Sequence, residues 1–299
     1  MELKENYIGF VGLGSMGSVM VSLLSKEKFN VIAYDINKEI ELDRNITCAK
    51  NLRELVNCNI LILILPNGSI VKETVLQLVE YGFKGQVIDM SSSHPQQTIE
   101  LQELVKQNCI SVVDAPVSGG VKKAINGTLM VMVGSSQENF KSIKILLERF
   151  GTVRHVGPLG AGHAMKALNN YVSASGLLAS MQALATAEAY GIKANDFIEV
   201  INSSTGKNNS TQVKFLPFVI PRRYSSGFSL SLMTKDVEIA SSIIKDAEFS
   251  TPLSDALPEY LVKALENSKE GVDHTALYEE INPRSVTDTQ TKEPKGVSQ

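Results

Sequence analysis

Short apolar runs punctuate the first half of the chain, and each is closed by a turn residue. The run at 7–11 ends in a glycine turn, and the run at 31–34 ends at Asp35. Residues 60–65 are stopped by Pro66-Asn67-Gly68, and further runs lie at 87–90, 111–114 and 129–133. Runs of this length, rich in Val and Ile, predict buried strands. Helix-like stretches sit between most of them, at 16–27, 69–80 and 96–107. Strands alternating with helices predict an α/β fold with a mostly parallel, doubly wound Rossmann-type sheet.

The pattern changes near Gly160. Residues 161–190 contain neither Pro nor a β-branched cluster; Ala, Leu, Met, Ser and Glu dominate, and Gly191 follows as a C-terminal cap. This predicts a long helix whose small side chains let other helices approach, so it is expected to be buried and central. Residues 194–280 also read as helical, without a strand signal. The expected organisation is a sheet domain over 1–160, an all-helical substrate and oligomerisation domain over 161–282, and a solvated, disordered tail over 283–299 with no aromatic residue.

Composition narrows the function classes. A net charge of −3 argues against a nucleic-acid footprint. Cys48, Cys58 and Cys109 form no CxxC pair, so neither a disulfide framework nor a zinc site is expected. The first six residues are polar and carry both charge signs, unlike a signal peptide. The longest apolar run, 60–66, is too short for a bilayer. The expected location is the cytoplasm, with no membrane partner.

Three motifs carry chemistry. Gly12-Leu13-Gly14-Ser15-Met16-Gly17 is a G-x-G-x-x-G between a strand and a helix. The first glycine permits a tight turn, the second lets a pyrophosphate approach the backbone, and the third lets helix pack on strand. The helix N-terminus supplies amides and a positive dipole end. Asp35 follows 23 residues after Gly12, at the end of the next strand, where a carboxylate binds ribose hydroxyls. It would repel the extra phosphate of NADP, so NAD is the expected cofactor and NADP the less favoured alternative. Ser118-Gly119-Gly120 closes a strand with donors suited to an anionic oxygen such as a substrate carboxylate. Lys166 and Asn170 are spaced i, i+4 and share one face of the long helix. Lys166 reads either as a buried proton-exchanging lysine or as a surface residue near the helix start. An adjacent pair such as Lys235-Asp236 is ordinarily solvated.

Taken in order, these segments resemble the β-hydroxyacid dehydrogenases, the group containing 3-hydroxyisobutyrate dehydrogenase. The landmarks are GLGSMG at 12–17, LPNG at 65–68, DMSSSHP at 89–95, DAPVSGG at 114–120, GAGHAMKALNN at 160–170, GFSLSLMTKD at 227–236 and STPL at 250–253. The resemblance implies that Gly12 to Gly17 hold the pyrophosphate, that Leu65 and Pro66 line the cofactor cleft and that Ser92 touches the nicotinamide side. It implies that Ser118, Gly119 and Gly120 bind the substrate carboxylate, that Lys166 is the acid/base and that Asn170 orients the substrate. Lys235 would reach over the cofactor, supported by Asp236. His163 stands where many relatives carry Gln and reads as a polar helix-start residue without a catalytic part; His94 reads as a loop residue before Pro95.

The implied activity is hydride transfer between NAD and a small β-hydroxy acid such as 3-hydroxyisobutyrate, giving the semialdehyde, or the reverse reduction. No metal is expected, and a homodimer or homotetramer is. Substrate would bind between the domains, with residues 202–212, including Ser203, Ser204, Lys207 and Asn208, in the pocket wall. Alternatives are the reduction of tartronate semialdehyde, glyoxylate, succinate semialdehyde or sulfolactaldehyde, and the oxidation of threonate. Relatives that act on sulfolactaldehyde depart from Ser-Gly-Gly, which favours a carboxylate here. A 6-phosphogluconate-type dehydrogenase would carry His at Asn169 and a longer helical domain. A non-catalytic binding protein is disfavoured by Lys166 and by the absence of a basic linker or tail.

Overall fold

The computed structural model describes residues 7–26, 29–37, 42 and 44–283. The expected tail over 283–299 lies, beyond Pro283, outside the described residues. The chain divides into two compact units between Asn169 and Asn170.

The first unit is built on nine strands: β1 (Tyr7–Val11), β2 (Asn30–Tyr34), β3 (Ile46–Cys48), β4 (Ile60–Leu63), β5 (Gln86–Asp89), β6 (Ser111–Asp114), β7 (Val117–Ser118), β8 (Leu129–Gly134) and β9 (Gly151–Gly157). Their order is β3-β2-β1-β4-β5-β6-β8-β7, with β9 paired to β8. Pairs from β3 through β6 are parallel, whereas β8 meets β6 and β7 antiparallel. The helices are α1 (Gly17–Lys26), α2 (Gly68–Glu80), α3 (Pro95–Val105), α4 (Gly120–Ile125) and α5 (Gln137–Leu147).

Alternation of side chains across the sheet explains the apolar runs. Ile8, Phe10, Ile60, Ile62, Ile88 and Val113 enter one core; Val11, Leu61, Leu63, Val87 and Val112 enter the other. A strand covered on both faces has no polar side, so its sequence reads as continuous hydrophobicity. The unpredicted strands lack that signature. β3 has three residues, two of them exposed, β7 has two, and β9 alternates as GTVRHVG with Thr152 and Arg154 exposed.

The long helix α6 (Ala161–Ala189) begins in the first unit and continues into the second. It is followed by α7 (Ala194–Asn202), α8 (Asn209–Val213), a π-helical turn (Phe215–Val219), α9 (Leu230–Asp246), α10 (Pro252–Glu266) and α11 (Leu277–Ile281). Leu177, Met181 and Leu184 of α6 pack with Phe215, Val237, Leu261 and Tyr278 in one apolar core. The second unit has no named strand among its described residues; one isolated bridge joins Ser229 to Asp273. No described helix is long and apolar enough to cross a membrane.

A polar network seats the start of α9. Asp273 accepts hydrogen bonds from the Gly227 amide at 2.8 Å and from Ser226 Oγ at 2.9 Å. His274 Nδ1 lies 2.8 Å from the Phe228 carbonyl, so that nitrogen carries the proton. Nε2 is then the acceptor for Lys214 Nζ, 2.9 Å away. Burial, with Lys214 beside it, pushes the His274 pKa down from 6.5 to about 4. Burial also lowers the pKa of Lys214, with Asp273 opposing the shift.

Candidate active site

The glycine turn between β1 and α1 divides its work between three positions. Gly12 has φ +96°, and a Cβ there would stand 2.2 Å from the Ile64 carbonyl oxygen, so the turn presses on the chain leaving β4. A Cβ on Gly17 would stand 1.9 Å from the Gly12 oxygen, which fixes the helix close to the turn. At Gly14 a Cβ would meet nothing within 4 Å. Open space lies at the position where a pyrophosphate must approach the backbone, above the amides that begin α1. Leu13 is buried, Ser15 exposed and Met16 half-buried against the core. The loop therefore fits a dinucleotide.

Asp35 faces this loop. Its Oδ2 accepts from the Leu13 amide at 2.6 Å and its Oδ1 from the Asn37 amide at 2.7 Å. The carboxylate is thus held at the loop by backbone donors, and each oxygen keeps acceptor capacity. Ile36 beside it is 89% exposed.

The ends of β4, β5 and β6 are tied by buried polar groups that sequence reading did not single out. The Leu65 amide donates to Ser91 Oγ at 2.9 Å, placing Leu65 half-buried and Pro66 exposed. Asp89 accepts from the Ser91 amide through Oδ1 and from Ser93 Oγ through Oδ2, both at 2.9 Å. Ser92 lies half-buried between these two anchors. Asp114, paired in register with Asp89, accepts from the Gly160 amide at 2.7 Å and the His163 amide at 2.8 Å. A carboxylate from a distant strand thus caps α6. Burial raises the Asp114 pKa, while His163 and these amides pull it back. The approach needs two glycines: a Cβ on Gly134 or Gly162 would stand 2.4 Å from Asp114 Oδ1 or 2.8 Å from Oδ2.

His163 is not the plain helix-start residue expected from sequence. It is 1% exposed, its Nδ1 is 2.8 Å from Thr98 Oγ1, and its Nε2 is 3.6 Å from Asp89 Oδ2. His94 is likewise more than loop: its Nδ1 accepts from the Gln96 amide at 3.2 Å and caps α3. Lys166 lies half-buried one turn beyond His163, and Asn170 one turn beyond Lys166.

Ser118 ends β7 half-buried, and Gly119 and Gly120 are exposed with φ +139° and +70°. Two successive positive φ values exclude ordinary side chains here, and a Cβ on Gly120 would meet nothing within 4 Å. In the second unit, Asn170 Nδ2 donates to Asp236 Oδ2 at 2.5 Å, with both residues buried. Asp236 is therefore not a solvated neighbour of Lys235. It fixes which way the Asn170 amide points, and Lys235 stands half-buried next to it on α9. Ser203, Ser204 and Lys207 are exposed, whereas Asn208 is turned inward, with Nδ2 donating to Ser180 Oγ at 2.9 Å. No group of three potential metal ligands occurs among the described residues.

Residues 7–158 match the model of the NAD binding domain of 6-phosphogluconate dehydrogenase. Residues 160–281 match the model described as NAD-binding of NADP-dependent 3-hydroxyisobutyrate dehydrogenase. The chain is 34% identical to mitochondrial 3-hydroxyisobutyrate dehydrogenase of Drosophila melanogaster, over 82% of this chain and 80% of that protein. It is 33% identical to 2-(hydroxymethyl)glutarate dehydrogenase of Eubacterium barkeri, over 84% and 86%. A solved structure of Mycobacterium tuberculosis 3-hydroxyisobutyrate dehydrogenase with L-serine superimposes with TM-score 0.83 at 26% identity, covering 92% of this chain and 99% of that one.

Proposed function

As a member of the β-hydroxyacid dehydrogenase family, the chain is a nicotinamide-dependent oxidoreductase of hydroxy acids, and we propose that it oxidises a small carboxylate whose β carbon bears a primary alcohol, with NAD as acceptor. The names of three similar proteins support the substrate class: 2-(hydroxymethyl)glutarate, 3-hydroxyisobutyrate and L-serine all carry CH2OH beside a carbon that bears a carboxylate. A sulfolactaldehyde reductase of Escherichia coli is also similar, at 27% identity. The open Gly119-Gly120 turn next to Ser118 favours the carboxylate.

The observation that carries the reading is the placement of Lys166. It stands on α6, one turn from the carboxylate-capped start and one turn from an amide oriented by Asp236. The nicotinamide, when bound, supplies the hydride acceptor. Gly12 to Gly17 and Asp35 would hold its dinucleotide, Leu65, Pro66 and Ser92 would line the cleft, and Lys235 would close over it. Ser118, Gly119 and Gly120 would bind the carboxylate, and Asn170 would orient the hydroxyl. Lys166 Nζ takes the hydroxyl proton during oxidation and returns it to the carbonyl oxygen in the reverse direction.

The test is Lys166→Ala. It should lower kcat about 10²–10⁴-fold with NAD affinity unchanged, and Lys166→Arg should not rescue it, because a guanidinium holds its proton. Near-normal kcat in Lys166→Ala would refute the role.

Two further features bear on setting. Tyr190 is 83% exposed, and Ile192, Asp196, Phe197, Val200 and Ile201 line a hollow of about 160 Å³. This supports self-association as a homodimer or homotetramer. Free Cys48, Cys58 and Cys109 suit the reducing cytoplasm.

A further inference from the structure

Among the described residues, the mechanism gives no task to the buried histidine in the first turn of α6. His163 is 1% exposed, and its Nε2 has no hydrogen-bond partner among the described residues. It is surrounded by polar groups: Thr98 Oγ1 at 2.8 Å from Nδ1, Asp89 Oδ2 at 3.6 Å from Nε2, and Asp114 Oδ2 at 4.0 Å from Nδ1. A ring serving only to fill space would be better replaced by an apolar one, since a buried unpaired nitrogen costs free energy.

The neighbours of His163 lead to two different parts of the site. Asp89 holds the Ser91–Ser93 turn, and Ser91 in turn holds Leu65, so this branch places the segments assigned to the cofactor. Asp114 holds the amides of Gly160 and of His163 itself, so this branch places the first turn of α6. Thr98 adds α3. Asp89 and Asp114 are register partners on adjacent parallel strands, and the imidazole lies within 4.0 Å of both carboxylates.

We infer that His163 is a positioning residue: it locks the start of α6 to the ends of β5 and β6, and so sets where Lys166 stands relative to the cofactor-lining turns. The inference rests on the acid/base reading of Lys166. A displacement of about 1 Å at a reacting group can cost on the order of 10²-fold in rate. The backbone bonds from Asp114 persist without the ring, so a smaller loss is expected.

The experiment uses the full-length protein with NAD and 3-hydroxyisobutyrate, assayed well below each variant's unfolding midpoint. His163→Ala should lower kcat at least tenfold, with the KM for NAD within twofold of the parent. His163→Gln, whose amide can still bond Thr98 and reach Asp89, should recover most of kcat. Thr98→Val, which removes only the Nδ1 partner, should fall between, and it keeps the test available if the alanine variant does not fold. In a Lys166→Ala background, His163→Ala should change the residual kcat less than twofold, because residues acting as one unit are non-additive. A normal kcat in both His163→Ala and Thr98→Val, or full additivity with Lys166→Ala, would overturn the positioning role. If Lys166→Ala alone kept its activity, the acid/base reading would fail instead, so the two failures are distinguishable.

Discussion

The three glycines of the 12–17 turn make opposite predictions for the same substitution. Alanine at Gly17 brings a Cβ to 1.9 Å from the Gly12 oxygen and 2.8 Å from Ile64 Cγ2. To restore an ordinary contact, the start of α1 must retreat by about 1.5 Å from a packed core, an overpacking that costs about 1–3 kcal/mol. For a unit of this size, 2 kcal/mol lowers the unfolding midpoint by roughly 4–8 °C. Gly12→Ala should cost at least as much, because it adds a positive φ to a 2.2 Å approach on backbone. Gly14→Ala meets nothing within 4 Å and has no positive φ, so its midpoint should stay within about 1 °C of the parent. Its Cβ occupies the space assigned to the pyrophosphate, however, and should disturb charge-assisted bonds worth about 1.5–3 kcal/mol each. NAD affinity should then fall at least tenfold. Thermal unfolding without cofactor and calorimetric titration of NAD separate the effects. A Gly14→Ala protein that binds NAD normally would refute the placement of the dinucleotide over this turn; one that unfolds early would refute the packing argument.

Three more outcomes follow from the same geometry. Asp35→Asn exchanges a carboxylate held by the Leu13 and Asn37 amides for a neutral group, so the preference for NAD over NADP in kcat/KM should narrow about tenfold; an enzyme that prefers NADP before the change contradicts the assignment. Ser118→Ala removes one donor from a site otherwise built on backbone, so the KM for 3-hydroxyisobutyrate should rise several-fold with kcat little changed, and a sulfonate analogue turned over tenfold better than the carboxylate would reverse the reading of this turn. For His274 the folded pKa of about 4 lies below the unfolded 6.5, so the unfolded chain binds the extra proton between these values and stability falls as pH drops through that window, by about 3 kcal/mol, while above pH 6.5 this contribution is complete. Urea unfolding from pH 7 to 4 should show that slope, and His274→Asn should flatten it; an unchanged slope in the variant would place the titration elsewhere.

The two-sided core wrote itself into the sequence, because β4 is apolar at every position and β1 and β5 carry buried apolar residues toward both faces. The three strands that escaped reading are those whose residues alternate or are too few to make a run. The G-x-G-x-x-G turn and the Ser-Gly-Gly turn were legible because a positive φ at Gly12, Gly119 and Gly120 and a close backbone approach at Gly17 favour glycine there. Helical spacing put Lys166 and Asn170 on one face of α6, whereas the roles expected of them came from the family resemblance. The supports of the site were not. Asp89, Asp114 and His163 come from three separate segments, and their type does not reveal that strand ends and a helix start converge. Asp236 reads as half of an ordinary charged pair until the fold buries it against Asn170. Asn208, expected in the pocket wall, also has a local task that spacing did not reveal, since its side chain serves Ser180 and the cap of α8.

The cap that Asp114 places on α6 has a consequence for how this chain can be taken apart and recombined. Helices usually carry their own cap within a residue or two, so a helix can be moved as a cassette. Here the cap lies 46 residues before Gly160 and 49 before His163. The opening turns of α6 are thus a portion of the sheet unit that happens to be helical. A chimaera joined at residue 160, where the sequence pattern changes, would import a foreign helix start and need that newcomer to satisfy Asp114, Asp89 and Thr98. A chimaera joined after Asn169 keeps those partners together and passes on a helix already begun, so the natural seam for exchanging helical units lies inside a helix.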